Sequence, residues 1–102
     1  MCPVSQITNE FIDVLTDNYL NGTVTVGTSA VEAKVGTTKL QDRELLIIHN
    51  SSNNTIYHGA SNVTVNTGVP IFKNQTVYIA AQQSVYLIAS SSNNTVVVQE
   101  LS

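Results

Sequence analysis

In 102 residues, charged side chains make up only 11%, with four Lys and Arg against seven Asp and Glu and a formal net charge of −3; an average globular domain carries about 25%. Eleven Asn, ten Ser and twelve Thr fill much of the remainder, small neutral hydrogen-bonding types that suit exposed strands and turns. This length is enough for one domain and short for two, and four scattered bases with a pI near 5.0 argue against a binder of nucleic-acid backbones.

The net charge belongs to the N-terminal segment. Glu10, Asp13 and Asp17 contribute −3, and the rest of the chain carries four acids and four bases. Ile7, Phe11 and Leu15 recur every four positions, flanked by Ile12 and Tyr19, and the acids fall off that stripe. The spacing predicts a short amphipathic helix or arm over 1–22, closed by Asn21-Gly22. Its apolar stripe, Ile7, Phe11, Ile12, Leu15 and Tyr19, would pack on its own domain or dock on a partner. The first ten residues lack the basic region and apolar stretch of a secretion signal, and no apolar run approaches the ~20 residues of a membrane-spanning helix. Cys2 is the single cysteine. It can form no intramolecular disulfide, and with no base nearby it makes a poor nucleophile.

After Gly22 the period changes to two. Val24 and Val26 alternate with Thr23 and Thr25, and Val31, Ala33 and Val35 with Glu32 and Lys34. Further runs follow at 45–49, 55–58, 62–65, 69–72, 76–81, 84–89 and 95–100. Eight or nine short strands divided by Gly, Asn and Ser predict an antiparallel β-sandwich or jelly roll over 23–102. One stretch echoes another: Leu46-Ile47-Ile48 and Ser51-Ser52-Asn53-Asn54-Thr55-Ile56 align with Leu87-Ile88-Ala89 and Ser91-Ser92-Asn93-Asn94-Thr95-Val96. Asn and Ser accept tight reversals, so both are expected to be hairpins with polar tips.

Catalytic constellations are scarce. A glycosidase needs two carboxylates, a metal hydrolase three ligands, and a triad enzyme a nucleophile, base and orienting acid. His49 and His58 are the only histidines. A hairpin pairing 49 with 56 and 47 with 58 would set both on one face, still short of a third ligand. No enzyme, metal site or cofactor is expected. Asn-x-Ser/Thr occurs at Asn21, Asn50, Asn53, Asn62, Asn74 and Asn93, and these triplets are read as turn chemistry. A carbohydrate-binding β-sandwich would fit the amide-rich loops, but there is no Trp, and most of the six Tyr and Phe rings fall where the pattern wants them buried.

Arg43-Glu44-Leu45-Leu46-Ile47-Ile48-His49-Asn50, Ile56-Tyr57-His58-Gly59-Ala60-Ser61-Asn62-Val63-Thr64 and Gly68-Val69-Pro70-Ile71 together resemble a recurrent β-domain of small tailed-bacteriophage virion proteins. In that pattern an arginine-led strand ends in Asn, a Tyr-x-Gly-x-Ser-Asn-Val-Thr segment follows, and an Asn-Gly-x-Pro-like turn comes next; here Thr67 replaces the Asn before Gly68. Residues 84–89 and 96–101 look like the closing pair of strands. The resemblance spans about residues 23–101, and its motifs are structural. It implies a non-enzymatic virion component, a capsid decoration or cement protein that binds the major capsid protein, stabilises the head and assembles in the host cytoplasm. It implies self-association, with a trimer as the first expectation; the sparse bases and the lack of a long apolar run lead us to expect no nucleic-acid or membrane partner. The alternative is a tail, neck or fibre module that contacts the host surface.

Overall fold

Along Leu45–His49 every second side chain is apolar and inward, so Leu46 and Ile48 are fully buried while Leu45, Ile47 and His49 lie on the opposite face. The same alternation buries Val24 and Val26 in one strand and Val96 and Val98 in another. In the computed structural model, residues 18–102 are described. They form β1 (Tyr19–Val26), β2 (Val31–Glu32), β3 (Leu45–His49), β4 (Ile56–Gly59), β5 (Val69–Ile71), β6 (Thr76–Ile79), β7 (Tyr86–Ile88) and β8 (Asn94–Leu101). No helix occurs among the described residues, and so none long and apolar enough to cross a membrane. Ile7, Phe11, Ile12, Leu15 and Cys2 lie outside the described residues.

Two four-stranded antiparallel sheets face one another, one in the order β1-β8-β3-β6 and the other β2-β7-β4-β5. First pairs with last, second with seventh, third with sixth and fourth with fifth. That nesting is a long ribbon folded at β4 and β5 and then rolled up, and the β3/β8 and β4/β7 pairings close the roll. The fold is thus the antiparallel sandwich of jelly-roll order expected from the strand pattern. Leu46, Ile48, Val96 and Val98 meet Ile56, Ile71 and Leu87 in a core where all are fully buried, each such side chain contributing about 1.5–3 kcal/mol.

Four sequence expectations are corrected. Tyr19 and Asn21-Gly22 do not close a helix: they lie in β1, where Tyr19 pairs with Leu101, Asn21 with Gln99 and Gly22 with Val98. Strand β1 therefore already includes residues 19–22, because a full-length partner strand outweighs local helical spacing there. Residues 62–65 are no strand. Ideal Cβ atoms on Gly59 and Gly68 would each stand 2.8 Å from Val63 Cγ2, so two glycines admit Val63 into a tight turn held by Val63 N–H to Ala60 O and Gly68 N–H to Thr64 O, both 2.9 Å.

The two echoed segments are not hairpins either. β3 and β4 belong to different sheets, as do β7 and β8, so each segment is a corner where the chain crosses the sandwich. Turn chemistry is the same for a reversal within a sheet and a crossing between sheets, and only the partners differ. It follows that His49 and His58, in β3 and β4, do not share a hairpin face.

Candidate interaction face and the two sealed ends

One end of the sandwich is closed by a buried ion pair. Arg43 and Glu100 are both fully buried, with Arg43 Nη1 2.9 Å from Glu100 Oε2. Arg43 also donates through Nε to Ala81 O at 3.1 Å, through Nη1 to Ala33 O at 3.2 Å and through Nη2 to Gln83 O at 2.6 Å. Glu100 accepts from the amides of Val35 at 2.9 Å and Leu40 at 3.1 Å. The pair thus ties the connection after β2 and the connection after β6 to the last strand, satisfying the donors and lone pairs that burial would otherwise leave stranded.

The other end is sealed by neutral amides. Asn50 is fully buried, donating Nδ2 to Asn54 O at 2.7 Å and Ile71 O at 2.8 Å and accepting at Oδ1 from Ser52 N and Ser52 Oγ. Asn94 donates to Val26 O at 3.2 Å and Ser91 O at 2.7 Å, and its Oδ1 accepts from Asn54 Nδ2 at 2.8 Å. Ser51 Oγ donates to Thr95 O. The two echoed corners therefore lie side by side and share hydrogen bonds.

Of the Asn-x-Ser/Thr triplets, Asn74 and Asn93 adopt φ of 63° and 65°, the left-handed region that Asn tolerates better than most residues. Asn53 and Asn62 lie in exposed turns, Asn21 in β1, and Asn50 is inaccessible. Turn chemistry accounts for all but Asn21 and holds at the two strained positions.

His49 Nδ1 lies 2.7 Å from Thr76 Oγ1 on the outer face of β3. His58 shares the inward face of β4 with Ile56 and stands opposite Leu87; burial lowers its pKa below 6.5. No group of three metal-ligating side chains and no pocket is present among the described residues. The aromatic rings depart from expectation. Tyr19, Phe72 and Tyr78 are exposed, Tyr78 because it takes the outward position of β6 and Phe72 because it follows β5 into a turn, its amide held by Gln75 Oε1. Tyr19 and Tyr78 stand on opposite edge strands of one sheet and form no shared stacking platform.

What remains is a surface. On the outer side of β1-β8-β3-β6 the register sets Tyr19 and Leu45 on either side of Leu101, which is itself buried; then it lines up Asn21, Gln99, Ile47 and Tyr78; then Thr23, Val97, His49 and Thr76. The only Asp, Glu, Lys or Arg in these strands is Glu100, which points inward. The opposite sheet differs: β2 carries Glu32, whose Oε1 lies 3.4 Å from Lys34 Nζ, and Val63 lies over Gly59 of β4. An uncharged face of Tyr, Leu, Ile, Val, Thr and amides suits contact with another protein, where charge is depleted and aromatic rings are enriched. Sequence reading missed this face because it appears only when β1 and β8 are known to be neighbours. Compared with known proteins, the chain matches no family model, no curated protein and no solved structure.

Proposed function

We propose that the chain is a non-enzymatic structural component of a tailed-phage particle, a capsid decoration or cement protein that binds the major capsid protein. The observation that carries this reading is the outer face of β1-β8-β3-β6, three rows of side chains with no Asp, Glu, Lys or Arg. Large uncharged surfaces of this kind mark protein contacts more often than catalytic clefts. The resemblance around Arg43–Asn50 and Tyr57–Thr64 supplies the kind of partner. The apolar residues Ile7, Phe11, Ile12 and Leu15 are the proposed second contact, with Tyr19 belonging to the first as a residue of β1.

The test is occupancy on purified particles. Ile47→Asp combined with Tyr78→Asp should release the protein while its β circular dichroism persists, and Phe11→Ser with Leu15→Ser should do the same for the anchor. Unchanged occupancy in both would sink the proposal. Copy number separates the two virion locations: hundreds of copies per particle fit a decoration protein, a few fit a tail, neck or fibre part.

A further inference from the structure

The four edge strands of the sandwich are unequal. β2 has two residues and an ion pair beside it, β5 has three with Pro70 at its centre, and β6 has four. Short length, charge and proline are the devices that blunt an edge against pairing. β1 has eight residues, Tyr-Leu-Asn-Gly-Thr-Val-Thr-Val, with neither charge nor proline.

The direction of its backbone groups can be read from the ladder. Ser102 N–H donates to Asn18 O at 3.0 Å, just beyond the pairing of Tyr19 with Leu101. In an antiparallel pair hydrogen-bonded and non-hydrogen-bonded positions alternate, so Leu20, Gly22, Val24 and Val26 bond to β8. Tyr19, Asn21, Thr23 and Thr25 then turn their N–H and C=O outward. Gly27 continues the alternation, its carbonyl accepting from Ala89 N rather than from β8. Among the described residues, the outward groups of Tyr19, Asn21, Thr23 and Thr25 have no hydrogen-bond partner.

We propose that this edge pairs with the same edge of a second copy, antiparallel about a two-fold axis beside Gly22, with Asn21 opposite Thr23 and Tyr19 opposite Thr25 of the second copy. It is the register in which all four outward residues find partners; a shift by two leaves one of them unpaired on each strand. Gly22 then faces Gly22 at a non-hydrogen-bonded position, where strands come closest and its missing side chain removes any crowding. Tyr with Thr is an aromatic–β-branched cross-strand pair of the favourable kind. A two-fold contact sets each surface against itself, and an edge without charge suffers no like-charge repulsion. Both copies keep their charge-free faces on one continuous eight-stranded surface. The pairing goes beyond the particle reading and does not depend on it.

Light scattering behind a sizing column, on the full chain over a range of concentrations, should give twice 11.0 kDa. Amide exchange should slow about tenfold or more with concentration at Tyr19, Asn21, Thr23 and Thr25, and stay slow throughout at Leu20, Gly22, Val24 and Val26. Thr23→Pro removes an outward donor without touching the β8 ladder, and Thr23→Lys sets like charges near the axis; each should return the mass to one chain with the inward amides still protected. A single-chain or three-chain mass for the unaltered protein, a double mass in both variants, or outward protection independent of concentration would each overturn the proposal. The last would assign the edge to residues 1–17 of the same chain. Particle occupancy is a separate readout, so failure here leaves the decoration reading standing.

Discussion

The two ends of the sandwich solve one problem with different chemistry. Crossing connections bring backbone carbonyls and amides into the interior, and each must find a partner or cost about 1–3 kcal/mol. At one end Arg43 and Glu100 gather three carbonyls and two amides around a full charge pair. At the other, Asn50 and Asn94 hold four carbonyls with neutral amides. The charged end should fail abruptly, because losing one partner strands an ion. The amide end should fail by degrees.

The largest effect is therefore expected at the charged end. Arg43→Ala or Glu100→Ala should each cost about 3–5 kcal/mol in urea unfolding, the range for breaking a buried pair by one partner. Arg43→Met with Glu100→Leu should recover only part of that loss, because the amides of Val35 and Leu40 and the carbonyls of Ala33, Ala81 and Gln83 lose their partners. A single substitution costing under about 1 kcal/mol would show the pair to be solvated and would erase the contrast between the ends. Next comes Asn50→Ala, expected to cost about 2–3 kcal/mol by orphaning Ile71 O and Ser52 N. Asn94→Ala should cost less, about 1–2 kcal/mol, since Asn54 Nδ2 can turn to solvent from an exposed residue.

These polar seals were only partly legible in the sequence. The strand pattern carried the fold class, because Leu46 with Ile48 and Val96 with Val98 alternate regardless of partners. That phase also points Glu100 inward with Val96 and Val98, a signal obscured by the habit of placing carboxylates in water. Arg43 gives no such sign. Its burial depends on a carboxylate 57 positions away in sequence and on carbonyls from two other connections, and no local window contains them. The corners at 50–55 and 89–93 carried the right residues and the wrong geometry, since Ser and Asn serve a hairpin and a sheet crossing alike. The uncharged face was invisible for the same reason as Arg43: it is made by register across four strands.

A gentler probe of the amide end uses its left-handed residues. Asn74 and Asn93 should lose about 1 kcal/mol each on replacement by Ala, whose Cβ resists positive φ, and change by only a few tenths with Gly. Equal losses for Ala and Gly would mean that the side-chain amide, rather than the backbone angle, holds these corners. Asn74 N–H donates to Asn50 O at 2.8 Å, so Asn74→Ala should also weaken protection of the amides around Asn50, which Asn93→Ala should leave unchanged.

The smallest expected effect concerns pH. His58 faces the core beside Ile56 and opposite Leu87, and burial lowers its pKa below 6.5. The folded protein then resists a proton that the unfolded chain accepts, so stability is intact above about pH 6.5, falls as pH drops below that value, and levels off once the folded state also protonates. His58→Gln removes the titration. Its stability relative to the unaltered protein should therefore improve as pH falls from 7.5 to 5.5, and a difference that stays constant across that range would show that His58 keeps its ordinary proton affinity in the fold. Because the ring is only half-buried, solvent screens the penalty and the change should remain well below that of breaking the Arg43–Glu100 pair. The contrast then reduces to one variable: a buried charge held by its partner stabilises only while the partner is present, whereas a partly buried ring that can shed its charge weakens the fold only when acid forces one upon it.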